Sequence, residues 1–109
     1  MAEPTLQQVF GANASQNATT LTISKADLSS IGLTSNATNT SESLWVAILL
    51  QAASYLTETN QQNNADQSIS IVESFDSLVT RNNQTYRQKT YSVNLQRIDT
   101  GSTINPNDY

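Results

Sequence analysis

Neither cysteine nor histidine occurs in this 109-residue chain. Their absence removes disulfide staples, thiolate nucleophiles, imidazole bases and most zinc, haem, copper and iron–sulfur sites. Glycine is limited to Gly11, Gly32 and Gly101, too few and too scattered for a Gly-x-x-x-x-Gly-Lys phosphate loop, a Gly-x-Gly-x-x-Gly turn or a Gly-x-Ser-x-Gly elbow. Long apolar runs are missing as well. The longest, Leu44 to Leu50, extends to Leu56 only across Gln51 and Ser54, well short of the roughly 20 residues that span a bilayer. Met1-Ala2-Glu3-Pro4 carries no basic region and no apolar stretch follows it, so no secretion signal is expected. The chain is expected to be soluble and made in the cytoplasm.

What fills the sequence instead is uncharged polarity. Ser and Thr supply 14 residues each, Asn 12 and Gln 10, while charged residues make up 13% and hydrophobic ones 37%. The usual apolar share, which also counts glycine, is about 45–50%. A thin core follows. Small domains with thin cores are often supplemented by cross-links, metal or neighbouring subunits. Without support for the first two, oligomerisation is the expected supplement. Asn-x-Ser/Thr triplets at Asn13, Asn17, Asn36, Asn39 and Asn83 imitate a glycoprotein. With this much Ser and Thr, about three such triplets arise by chance, and they are not read as modification sites.

The net charge of −4 opposes a nucleic-acid or anionic-membrane partner, which would need a basic face. The charge is uneven. Positions 1–80 hold Lys25 alone against Glu3, Asp27, Glu42, Glu58, Asp66, Glu73 and Asp76, whereas positions 81–109 hold Arg81, Arg87, Lys89 and Arg97 against Asp99 and Asp108. The two parts attract, either within one chain across a sheet or head-to-tail between copies, as in a ring.

Along the chain, Leu6, Val9 and Phe10 are spaced for one face of a short helix between Pro4 and Gly11. With little to bury, that helix must dock on the body or on a neighbour. Positions 12–17 read as a connector. Thr20-Leu21-Thr22-Ile23 alternates like a half-buried strand, and Ser24 with Asp27 suggests a capping box opening a two-turn helix closed by Gly32. The principal helix runs from an N-cap at Thr40 or Ser41 through Leu56, and its apolar residues cover more than one face, so it is expected to be central and covered on several sides. Trp45 is expected to pack on the sheet or on a subunit.

Positions 68–80 and 85–98 are strand-like runs about Arg81-Asn82-Asn83-Gln84, and asparagine tolerates the left-handed conformation of hairpin turns. The spacing predicts a long hairpin with one irregularity. A strict two-residue turn would place odd positions opposite even ones and split Ile69, Ile71 and Phe75 from Tyr91, Val93 and Leu95. A three-residue loop or a bulge restores a common face, with Phe75 near Tyr91 and Ile71 near Leu95. Positions 99–109 have little to bury and are expected to form a tail, extended or disordered unless a partner holds it. The chain thus reads as a single α+β domain over 1–109: an N-terminal arm with a short helix (1–18), a body in which one central helix packs on a small antiparallel sheet (19–98), and a C-terminal tail (99–109).

Candidate chemistry is sparse. Glu73 and Asp76, three apart on a strand, point to opposite faces and converge only if a bulge intervenes; as solvated acids they would face Arg87 or Lys89. Asp66 and Asp99 lack the loop of a calcium site. No catalytic residue, metal site or cofactor is expected. Arg81, Arg87, Lys89 and Arg97 interleave with Tyr86 and Tyr91 in the outline of a single-strand nucleic-acid platform, but Tyr86 faces away from Arg87 and Lys89 and the chain is acidic. Tyr86 and Trp45 on an amide-rich surface are the residues a sugar would stack on, which makes a carbohydrate-binding or adhesion module the alternative reading.

A small Ser/Thr/Asn/Gln-rich chain free of Cys and His, with a polar arm, a hairpin and a Pro-containing tail ending in Tyr109, looks like the small virion structural proteins of tailed phages, such as capsid cement proteins and small tail or neck components. That resemblance implies a non-enzymatic assembly protein located in the virion. Its partners would be copies of itself, as a trimer or ring, and a larger shell or tube protein. The expected interface residues are Leu6, Val9, Phe10, Trp45, Tyr86, Arg87, Lys89 and Tyr109.

Overall fold

The computed structural model describes residues 2–99 and 101–109; Met1 and Thr100, which belong to the expected arm and tail, lie outside the described residues. Side-chain hydroxyls start each α-helix. Thr5 and Gln8 cap one another reciprocally at α1 (Leu6–Phe10). The Thr40 hydroxyl accepts from the Ser43 amide at the start of α2 (Ser41–Tyr55), and Thr57 does the same for Asn60 at α3 (Glu58–Asn63). The polar bias of the sequence is thus spent on helix starts and turns. Asn17, Asn36, Asn64 and Asn105 likewise each accept a main-chain amide two residues on.

Helix α2 is the hub. It packs against α1, against a 3₁₀ helix (Lys25–Ile31) that ends in left-handed Gly32, and against strand β3 (Ile69–Glu73). Its buried residues are Ala47 and Ala52, and together with Ala14, Leu28 and Leu56 they make up the buried apolar core among the described residues. The expected coverage on several sides is therefore partial. Ala47 and Ala52 let neighbours approach α2 closely, while Trp45, 66% exposed, and Val46, 52% exposed, are left open to solvent. Trp45 does not pack on the sheet.

Two short strands, β1 (Ser15–Gln16) and β2 (Leu21–Thr22), pair antiparallel. The first lies in the expected connector, and both are exposed rather than half-buried. The Ser24 side chain makes no cap. Asp27, its expected partner, instead accepts from the main-chain and side-chain nitrogens of Asn13, each at 2.7 Å.

The C-terminal half is one long ribbon. Strand β4 (Ser77–Arg81) pairs with β5 (Gln84–Gln88) around Asn82 and Asn83, both at positive φ of 51° and 63°, the backbone that a two-residue hairpin turn requires. Nearer the body, β3 pairs with β6 (Tyr91–Leu95), Ile71 opposite Val93 and Ile69 opposite Leu95. Between the two ladders the Ser74 amide bonds the Thr90 carbonyl. Phe75 and Asp76 therefore stand opposite Lys89 alone, a bulge of one extra residue. The expected irregularity is present, but the turn itself is the tight one. Because the bulge adds its residue on the first strand, Tyr91 pairs with Glu73 rather than approaching Phe75, and Leu95 pairs with Ile69 rather than Ile71.

The tail forms a 3₁₀ turn (Pro106–Asp108) and is held from within the chain. The Arg97 guanidinium donates to the carbonyls of Gly101 and Thr103 and lies 3.6 Å from the Asp108 carboxylate. The molecule extends 47 × 32 × 26 Å with a radius of gyration of 16.2 Å, against about 13 Å for a compact chain of this length. Its accessible surface is 7960 Å², where about 6,000 Å² is usual for the mass.

Candidate assembly surface

The bulge organises the ribbon's charge. It turns Asp76 and Glu73 toward the same lysine: the Lys89 ammonium donates to Asp76 at 2.9 Å and lies 3.8 Å from Glu73, and Arg87 reaches Asp76 at 3.7 Å. The convergence that a regular strand forbids is thus achieved, and it joins acids to bases rather than pairing two acids. The hydrogen bond from Lys89 to Asp76, and then that carboxylate's charge, hold the lysine above its usual 10.5, with Glu73 adding to the effect and Arg87 opposing it. A raised folded-state value means that the pairing contributes in full below about pH 10.5 and is lost as the pH climbs through the folded-state value. Unfolding by urea at pH 9 and pH 11 should accordingly show a larger drop for the unaltered chain than for Lys89→Met. Equal drops would mean that the pairing adds nothing. All the partners are exposed, so the effect is small.

The extra residue is Phe75, and the bulge aims it at solvent: it is 89% exposed. Around it the ribbon carries exposed Leu78, Val79, Tyr86, Val93 and Leu95, and beyond β6 Ile98 is 88% exposed. One face of the Tyr86 ring is covered by Arg81, whose guanidinium carbon lies 4.5 Å from the ring centre.

The expected interface residues fall into separate groups. Leu6, Val9 and Phe10 turn inward on their own chain, lining a cleft of about 300 Å³ with Pro4, Leu56, Ile69 and Tyr109. Tyr109 is half-buried there, so the two chain ends share one cleft. Arg87 and Lys89 meet around Asp76. Trp45 stands on α2 and Tyr86 on β5, both exposed, and neither lines this cleft. Sequence reasoning did not single out Phe75, Leu78, Val93, Leu95 or Ile98 as surface residues. The odd-to-even mismatch of the two strand runs was the signal that a bulge had to present some residue outward. Among the described residues no group of acids is arranged to hold a metal ion, and no helix is long and apolar enough to cross a membrane.

No protein-family model, curated protein or solved structure matches the chain.

Proposed function

We propose that this chain is a non-enzymatic structural protein that works by adhering to copies of itself and to a larger shell or tube, as a capsid cement protein or small tail component of a tailed phage does. The observation that carries the reading is the placement of apolar surface. Among the described residues, five apolar ones are buried while eleven large ones are exposed, far from the patch-free surface of a self-sufficient monomer. The roughly 2,000 Å² of surface beyond that of a compact chain exceeds the ~800 Å² per partner of a standard interface. The phage assignment itself is supported only by the general make-up of the chain. The sugar-binding alternative has less support, since Arg81 already occupies one face of the Tyr86 ring.

Light scattering on the full chain should give a mass above 11.9 kDa or show capture of a shell or tube protein. A monodisperse monomer without such a partner removes the reading. Phe75→Ser should leave the circular dichroism spectrum and melting temperature unchanged, since Phe75 supports nothing within the chain. It should weaken association by about 10–100-fold, the usual effect of removing an aromatic anchor. Unchanged association would exclude the bulge from the adhesive surface.

A further inference from the structure

The two outer edges of the β3–β6 ladder are treated differently. On β3 the edge is closed by the body: the Ile71 amide donates to the Leu56 carbonyl at 2.8 Å, and the Gln67 side-chain amide donates to the Ile69 carbonyl at 2.8 Å. On β6 it is open. Ser74 to Thr90 and Gln96 to Ser68 are bonded pairs, so by alternation Ser92 and Asn94 face β3 with their main-chain groups. Tyr91, Val93 and Leu95 turn theirs outward, where no partner is present among the described residues.

Exposed edges are normally blunted by charge, proline or a bulge. The distal ribbon follows that rule with Arg81, Arg87 and Lys89 and the bulge at Phe75 and Asp76. Strand β6 has none of these. From Thr90 to Gln96 it carries no charge and no proline, and Val93 is 51% exposed. An edge left in this state is a ready template for another strand.

We infer that the covering strand is β6 of a second copy, laid antiparallel about a two-fold axis at Val93. The strand is complementary to itself in that arrangement. Val93 meets Val93 and Tyr91 meets Leu95 on one face, while Ser92 meets Asn94 on the other, so apolar groups meet apolar ones and polar groups meet polar ones. The outward main-chain groups fall in phase, each of the three residues donating once and accepting once, about six bonds across the axis. No charged residue lies within β6 itself. Just beyond it Lys89 of one copy comes opposite Arg97 of the other, each already beside an acid of its own chain, Asp76 and Asp108. A four-stranded sheet results, with β3 of each copy at its rim. This inference rests on the adhesive reading above and names the partner for one part of that surface.

The test uses the full chain with charges placed on the axis. Light scattering should give twice 11.9 kDa for the unaltered protein, or multiples of it, and half that mass for either Val93→Lys or Val93→Glu alone. An equimolar mixture of the two should regain the doubled mass, because only a self-facing position sets lysine against glutamate. If the unaltered chain associates and both variants keep its mass, the two-fold edge is overturned while the adhesive reading survives. If the variants dissociate but their mixture does not reassemble, Val93 does not face itself and the inference is likewise overturned. Should either variant lose its folded circular dichroism spectrum, hydrogen exchange on the unaltered chain decides: the Tyr91, Val93 and Leu95 amides should gain at least tenfold protection as concentration rises, and concentration-independent exchange there overturns the pairing.

Discussion

Leu28→Ala is expected to cost about 2–5 kcal/mol and to lower the urea midpoint by roughly 1–3 M. Leu28 is 2% exposed, the largest fully buried side chain among the described residues, and its companions in the core are Ala14, Ala47, Ala52 and Leu56. Three of those four are alanines, which have no atoms to spare for filling a hole. The 3₁₀ helix that carries Leu28 packs on α2, so the cavity would open at the hub of the fold. Against a total stability of about 5–15 kcal/mol for a domain of this size, the loss removes a large part of the whole. Leu28→Met, which conserves volume, should cost less than about 1.5 kcal/mol. A Leu28→Ala midpoint within 0.3 M of the unaltered chain, about the experimental scatter, would show that the core lies elsewhere.

Gly11→Ala should destabilise by about 2–4 kcal/mol, from a strained backbone together with a steric overlap. Gly11 has φ 117° and ψ 156°, a region that only glycine occupies readily. A Cβ built there would sit 2.7 Å from the Cβ of Asp27, closer than real carbon atoms approach. Asp27 cannot simply swing aside, because its carboxylate is engaged by both nitrogens of Asn13. The two causes separate in a double-mutant cycle. Adding Asp27→Gly removes the opposing Cβ and should recover the overlap part of the loss, while the part due to φ persists. Purely additive losses in calorimetry would show that the two residues do not press on each other.

The readable parts of the sequence were those in which one local cause acts alone. Thr40 and Glu42 begin α2 where the capping rule places it, and Asn82-Asn83 adopts the positive φ values that asparagine tolerates. The ribbon's irregularity could be read from parity, because it follows from counting. Its position could not, since one residue added on the first strand and one added in the turn satisfy the same parity. The observed pairs, Ile71 with Val93 and Glu73 with Tyr91, follow from the first of these. Strand β1 carried no signal because both of its residues are polar and exposed, leaving hydropathy nothing to alternate.

The candidate surface was only partly legible, for a related reason. Trp45 was expected to pack on the sheet or on a subunit, and within the single chain the indole is left 66% exposed. The helix carrying Leu6, Val9 and Phe10 was expected to dock on the body or on a neighbour, and within the chain those residues line a cleft with Leu56, Ile69 and Tyr109. The tail has few apolar groups, but Arg97 gathers the carbonyls of Gly101 and Thr103 and the Asp108 carboxylate around one guanidinium. A hydropathy scale gives no weight to that kind of organisation. Phe75 was assigned to a shared ribbon face and instead became the residue the bulge ejects.

The 47 Å long axis has a hydrodynamic consequence. Friction on a rod-like particle exceeds that on a sphere of equal mass, so a single copy will sediment slowly and leave a gel-filtration column ahead of compact standards. Antiparallel pairing about Val93 would point the two Asn82–Asn83 turns in opposite directions, each about 30 Å from the axis, so the pair would be longer than a single copy as well as broader. The sedimentation coefficient should therefore rise less on dimer formation than it would for a compact particle of doubled mass.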